Sequence, residues 1–291
     1  MCDDDTVVEN ERYLKQNGLT RRSFNKLSAA IAATAILPSV LNAASVTESD
    51  VNVITPDGTA DCYFVHPAKG KYPGVIIWPD ILGLRPAFRS MGKRLAESGY
   101  SVLVVNPYYR SAKAPVVSEG DSFQDDAVRN KVLPMARSLS AETVVTDARA
   151  FVDFLDSKDA VDINKKIGTT GYCMGGSFTM RTAAHIPDRI GAGASFHGGR
   201  LVTDGPDSPH LLASKMKANF LFAIAANDDD RDPNAKDVLR KTFKEAKLPA
   251  EVEVYEGAMH GWCPPDSRVY NEAQAEHAWA RLLVLFKKAL V

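Results

Sequence analysis

The chain has 291 residues, 45% of them hydrophobic and 24% charged, with a formal net charge of -1. That length and apolar content can bury a substantial core as one large α/β domain or two small ones, and the near-zero charge gives no reason to invoke nucleic acid or an anionic membrane surface as a partner. The four cysteines, Cys2, Cys62, Cys173 and Cys263, are too few and too scattered for a disulfide framework, and no C-x-x-C pair or histidine cluster has zinc spacing.

Residues 1–19 are polar and charged with no periodic apolar face, the pattern of a disordered terminus. Arg21 and Arg22 then precede an Ala-rich apolar segment over 27–37 and a small-residue stretch ending at Ala44. This order resembles a twin-arginine export signal. It predicts a signal segment over 1–44, transient contact with the twin-arginine export machinery, and a mature protein in the periplasm or outside the cell, with a cytoplasmic location as the alternative. The apolar stretch is too short for a stable membrane span. Export after folding also suits a reactive thiol, which would be buried before meeting an oxidising compartment.

From Val51 short β-rich runs take over, at 51–55 and, after Pro56-Asp57-Gly58, at 60–66. Pro73 to Trp78 is a continuous apolar strand of the kind buried on both faces of a mostly parallel sheet, and it ends in Pro79-Asp80-Ile81-Leu82-Gly83. A helix over 86–98 and a buried strand over 101–106 complete a right-handed crossover. Residues 107–134 are irregular and polar, which predicts a loop or short helices over the carboxyl edge of the sheet. A helix over 141–155 leads to a strand at 167–170, a sharp Gly-rich turn, and a helix from near Ser177 to 184. Strands follow at 191–196, ending in His197, and at 219–226, ending in an acidic loop closed by Pro233. A helix over 233–246, a strand over 251–255, a loop containing His260 and Trp262, and an amphipathic helix over 271–289 complete the chain. With no internal repeat, linker or composition break after residue 50, the pattern predicts one α/β domain over 45–291, a mostly parallel, doubly wound sheet in three αβα layers.

Gly171-Tyr172-Cys173-Met174-Gly175-Gly176, set between a strand and a helix, has the context of a nucleophile elbow with cysteine in the place of serine. A side chain at 171 or 175 would collide with the neighbouring strand or helix. Alone, the stretch also reads as a Gly-rich turn around an inert buried cysteine. Later strand ends add an acidic cluster at 228–230 and His260, giving the order nucleophile, acid, histidine. A thiol is mostly protonated at neutral pH and needs a base beside it; His260 supplies one, and a carboxylate holds its tautomer.

These motifs, with Tyr255 to Trp262 and the Tyr108-Tyr109-Arg110 loop, resemble those of the dienelactone hydrolase family, the cysteine-nucleophile branch of the α/β-hydrolases. The resemblance implies an α/β-hydrolase fold and hydrolysis of a small-molecule lactone or ester through an acyl-cysteine, without a metal or organic cofactor. It implies Cys173 as nucleophile, His260 as general base and then acid, and an aspartate as orienter. The family's acid lies four residues before a proline, which selects Asp229, with Asp228 as the fallback. The backbone N–H groups of Ile81 and Met174 take the oxyanion role. Asp80 stands where the family has a glutamate, Pro264 where it has one carboxylate-binding arginine, and Arg110 matches the other. His197 and Trp262 fall beside the same loops, as pocket-lining or supporting residues. Two alternatives remain: a broader carboxylesterase or thioesterase, favoured by Pro264, and a non-catalytic ligand-binding protein of this fold.

Overall fold

The computed structural model describes residues 44–291, together with Arg12, so the paired arginines and the apolar segment of the expected export signal lie outside the described residues. Eight strands form one sheet in the order β1-β2-β4-β3-β5-β6-β7-β8. They are β1 (Val46–Thr55), β2 (Gly58–Pro67), β3 (Gly74–Trp78), β4 (Ser101–Val104), β5 (Ile167–Tyr172), β6 (Ile190–Phe196), β7 (Asn219–Ala225) and β8 (Ala250–Tyr255). β1 and β2 pair antiparallel, as do β2 and β4; every pairing from β4 through β3 to β8 is parallel. β3, β4 and β5 are buried at every position, which is why their sequences are apolar or threonine-rich without alternation.

Helices α1 (Pro86–Glu97) and α7 (Glu272–Leu290) cover one face of the sheet, packing Phe88, Leu95, Leu282 and Phe286 against Val75 and Ile77 of β3. Helices α3 (Ala141–Asp156), α4 (Met174–His185) and α6 (Ala235–Glu245) cover the other, where Phe151, Met180 and Phe243 share a core with Ile76 and Trp78. The period-two alternation along β3 thus feeds both hydrophobic layers of a three-layer αβα domain. A third cluster joins Val128, Val132 and Leu133 of α2 (Asp126–Arg137) to Ile81, Cys173 and Met174, so α2 roofs the elbow. Among the described residues, no helix is long and apolar enough to cross a membrane.

One local expectation is sharpened and two are corrected. The stretch over 107–134, read as a loop or short helices, contains α2, which runs through Pro134. Pro134 is exposed, so the carbonyl it strips of a partner can bond water while Val132, Leu133 and Ala136 stay buried beneath. The elbow helix begins at Met174, not near Ser177, because Gly175 and Gly176 pack within its first turn instead of breaking it. Residues read as an acidic loop form a short helix, α5 (Ala226–Arg231). The parallel registers, Trp78 beside Gly171, Tyr172 beside Phe196 and Ala225 beside Tyr255, bring the loops after β3, β5, β6, β7 and β8 to one edge of the sheet.

Candidate active site

Cys173 is the residue between β5 and α4, and its backbone adopts φ 54° and ψ -114°, a conformation that a non-glycine residue holds only at a cost of about 1–3 kcal/mol. The surroundings fix it there. Its N–H is shared between the Phe196 carbonyl (3.1 Å) and His197 Nδ1 (3.1 Å), and its carbonyl accepts from Gly176 (3.1 Å) and Gly199 (3.2 Å). A Cβ on Gly171 would lie 2.0 Å from the Gly175 carbonyl oxygen, and one on Gly175 would lie 2.4 Å from that of Trp78. Both glycines are therefore required by close backbone approach.

His260 stands beside the thiol. Its backbone N–H donates to Asn227 Oδ1 (2.8 Å), and its Nδ1 donates to Asp228, 2.8 Å from Oδ2 and 3.0 Å from Oδ1. The ring also hydrogen-bonds the Cys173 side chain. Burial pushes the imidazole toward its neutral form, but the charge of Asp228, and then that of the Cys173 sulfur, hold it up at about 10. Cys173, His197 and His260 line a single cavity of about 80 Å³ with Asp80, Ile81 and Arg85.

The choice between the two aspartates is corrected by the geometry: Asp228, not Asp229, faces His260. Successive residues of a helix point about 100° apart. Within α5 this turns Asp229 away to bind Lys236 Nζ at 2.5 and 2.7 Å. Arg110 is also displaced from its expected role. It is held by Asp147 (2.7 and 2.8 Å) and Asp57 (2.6 Å), lies against Tyr109, and is absent from the cavity wall.

Ile81 lines the cavity, and Met174 opens α4, where first-turn N–H groups have no intrahelical acceptor. Tyr108 ties these two together, its hydroxyl donating to the Ile81 carbonyl (2.8 Å) and lying 3.4 Å from Met174 Sδ. Asp80 lines the cavity, but its carboxylate is gripped by Arg85 at 2.7 and 3.0 Å and accepts the Leu82 N–H at 2.9 Å. Burial raises its pKa against the pull of Arg85. His197 is fully buried and neutral, since burial and then the charge on His260 push its pKa well down. Trp262 is fully buried behind the site, edge-on to His197 and stacked on Tyr255. Burial also raises both remaining described thiols, Cys62 to about 12 and Cys263 well above the ordinary range, and neither lines this cavity. Among the described residues no cluster of three or more His, Cys, Asp or Glu is arranged to hold a metal.

Sequence reasoning missed Arg85, Asp266 and the tethering role of Tyr108. Arg85 binds Asp266 as well as Asp80, joining the loop after β3 to the loop after His260. Nothing local marks a partnership across 181 positions.

An eight-stranded sheet in this order, with a strained cysteine after β5, an aspartate after β7 and a histidine after β8, defines an α/β-hydrolase. The dienelactone hydrolase family model matches residues 60–290, and the chain belongs to that family. It is thus a hydrolase of the lactone- and ester-cleaving kind. A carboxymethylenebutenolidase of Rhodococcus opacus is 25% identical over 238 residues, 80% of this chain and 88% of its own. Among solved structures, a dienelactone hydrolase of Anabaena variabilis is similar in fold at 15% identity with a TM-score of 0.60, over 84% of this chain and 99% of its own. A dienelactone hydrolase-like promiscuous phosphotriesterase from metagenomic libraries matches with a TM-score of 0.70 and 19% identity, over 85% of this chain and all of its own.

Proposed function

We propose that the protein hydrolyses a small lactone or ester through an acyl-cysteine formed on Cys173, with His260 as proton carrier and Asp228 as its orienter. The observation carrying this reading is the single line of contact from Asp228 through His260 to Cys173, at a strained elbow. Cys173 passes its thiol proton to His260, its sulfur attacks the carbonyl carbon, and the oxyanion accepts from the backbone N–H groups of Ile81 and Met174. Collapse breaks the carbon–oxygen bond, and the leaving oxygen takes a proton from His260. His260 then deprotonates a water molecule, which attacks the thioester and releases the carboxylate and the thiol. Tyr108 supports both backbone donors by bonding the Ile81 carbonyl and touching Met174.

Hydrolysis of cis-dienelactone, p-nitrophenyl acetate and an acyl thioester by wild type and Cys173→Ala tests the mechanism. Turnover on at least one is expected, lost in the variant; full turnover by Cys173→Ala would refute the acyl-cysteine. Reaction with simple esters alone would favour the broader esterase reading, to which Pro264 and the displaced Arg110 already lend weight. Twin-arginine export is part of the same proposal, supported by Arg21, Arg22 and the apolar segment after them. A periplasmic product with its N-terminus near Ser45 is expected, and a cytoplasmic protein starting at Met1 would refute it.

A further inference from the structure

Arg85 is buried in the wall of the Cys173 cavity, its side chain 4% exposed. A guanidinium carries five N–H donors, and here all are engaged. Nε donates to Asp266 Oδ2 (2.7 Å). Nη1 donates to Asp80 Oδ1 (2.7 Å) and the Gly83 carbonyl (3.2 Å), and Nη2 to Asp80 Oδ2 (3.0 Å) and Asp266 Oδ1 (2.9 Å). Two paired carboxylate forks thus consume the cation, and none of its donors is left for a ligand. The second arginine of the wall, Arg268, is paired with Asp125 through bonds of 3.0 and 2.8 Å and is 45% exposed, so water screens it, while Asp121 adds another carboxylate. The charges on the His260 ring and the Cys173 sulfur offset one another, and among the remaining lining groups Asp80, Asp121 and Asp266 outnumber Arg85 and Arg268.

We propose that the Asp80–Arg85–Asp266 bridge determines specificity: it neutralises the buried guanidinium of the cavity internally, so the site selects small uncharged lactones or esters and rejects substrates carrying a carboxylate near the reacting carbonyl. Such a carboxylate would lose its hydration, find no unengaged guanidinium donor on Arg85, and meet like charge. The inference rests on the acyl-transfer reading and adds its substrate class. Asp266 is the element to test, because its side chain is 41% exposed and its removal leaves Arg85 paired with Asp80. Asp266→Asn removes one negative charge and one acceptor oxygen, releasing at least one guanidinium N–H toward the cavity.

The esters 4-nitrophenyl pentanoate and mono-4-nitrophenyl glutarate have acyl chains of similar length and differ in charge. With spontaneous hydrolysis subtracted, wild type is expected to favour the pentanoate in kcat/KM by about tenfold or more. Asp266→Asn should narrow that ratio several-fold, and Asp266→Glu should restore it. Equal or better use of the glutarate by wild type, or an unchanged ratio in Asp266→Asn, overturns the proposal. Alkylation of Cys173 by iodoacetate and by iodoacetamide, followed by mass spectrometry, reads the same charge without turnover. The iodoacetate-to-iodoacetamide rate ratio should rise several-fold in Asp266→Asn, and a constant ratio refutes the bridge's role. If neither ester is hydrolysed while this ratio shifts, the hydrolase mechanism fails and the charge assignment stands. If both esters are hydrolysed without discrimination, the assignment fails and the mechanism stands.

Discussion

Replacing Asp228 by asparagine removes the carboxylate that holds the His260 imidazole, and the structure sets the size of the effect. Raising an imidazole from 6.5 to about 10 corresponds to ~5 kcal/mol in favour of the charged ring, shared between Asp228 and the Cys173 sulfur and reduced by burial. An asparagine can offer Nδ2 instead of an acceptor, turning the ring to the tautomer that points its proton at the sulfur. In a serine triad the equivalent change costs about 10⁴-fold in kcat. A thiol is the stronger acid and needs less help, so a loss of roughly 10²- to 10⁴-fold in kcat/KM is expected here, with retained folding. Asp229→Asn is the internal control: it breaks only the Lys236 ion pair, 18% exposed on the aspartate side, and should leave kcat/KM within about threefold of wild type. Steady-state hydrolysis of p-nitrophenyl acetate, with circular dichroism to confirm folding, measures both. A large loss in Asp229→Asn with near-normal Asp228→Asn would refute the reasoning.

The pH dependence of stability has a definite sign. The folded His260 pKa lies above the unfolded value, so its contribution is complete below about 6.5 and is lost as pH rises through about 10. Thermal melts should therefore fall between pH 7 and 10 by several degrees more in wild type than in His260→Gln, and parallel curves would contradict this. Gly175→Ala places a methyl 2.4 Å from the Trp78 carbonyl and 2.9 Å from that of Pro79, both backbone atoms. A cost of about 3 kcal/mol or more is expected in denaturant melts, together with loss of activity. Tyr108→Phe deletes the hydroxyl bonded to the Ile81 carbonyl and should lower kcat by about tenfold with little change in KM; unchanged kcat would mean the tether does not shape the oxyanion site.

The fold was legible because its signals are local or periodic. The unbroken apolar run of β3, the strand–turn–helix around Cys173 and the amphipathic α7 each announce themselves within about ten to twenty residues. The placement of Cys173 beside His260 was legible for the same reason, both lying in strand-end motifs. Choosing Asp228 over Asp229 required the rotation of α5 by one helical position, and spacing to Pro233 carries no such angle. Arg110 misled because its partner Asp147 lies on α3, which the sequence order does not bring close. The passage of α2 through Pro134 was not legible, because a helix tolerates proline where the stripped carbonyl faces solvent, and exposure is a tertiary property.

The strain at Cys173 explains why so much buried structure converges on a single residue. A conformation costing about 1–3 kcal/mol would relax if either neighbouring peptide could rotate. Rotation of the preceding peptide is opposed by the Cys173 N–H bonds to Phe196 and His197; rotation of the following one by the bonds from Gly176 and Gly199 to its carbonyl. His197 serves in this frame because burial keeps it neutral, leaving Nδ1 as an acceptor. A protonated His197 would lose that bond and place a second positive ring 5.1 Å from His260, so the neutrality of one imidazole and the charge of the other are parts of the same arrangement. The thiol is thereby held within reach of His260 without searching side-chain and backbone conformations, and that preorganisation is what an acyl-transfer site requires of its scaffold.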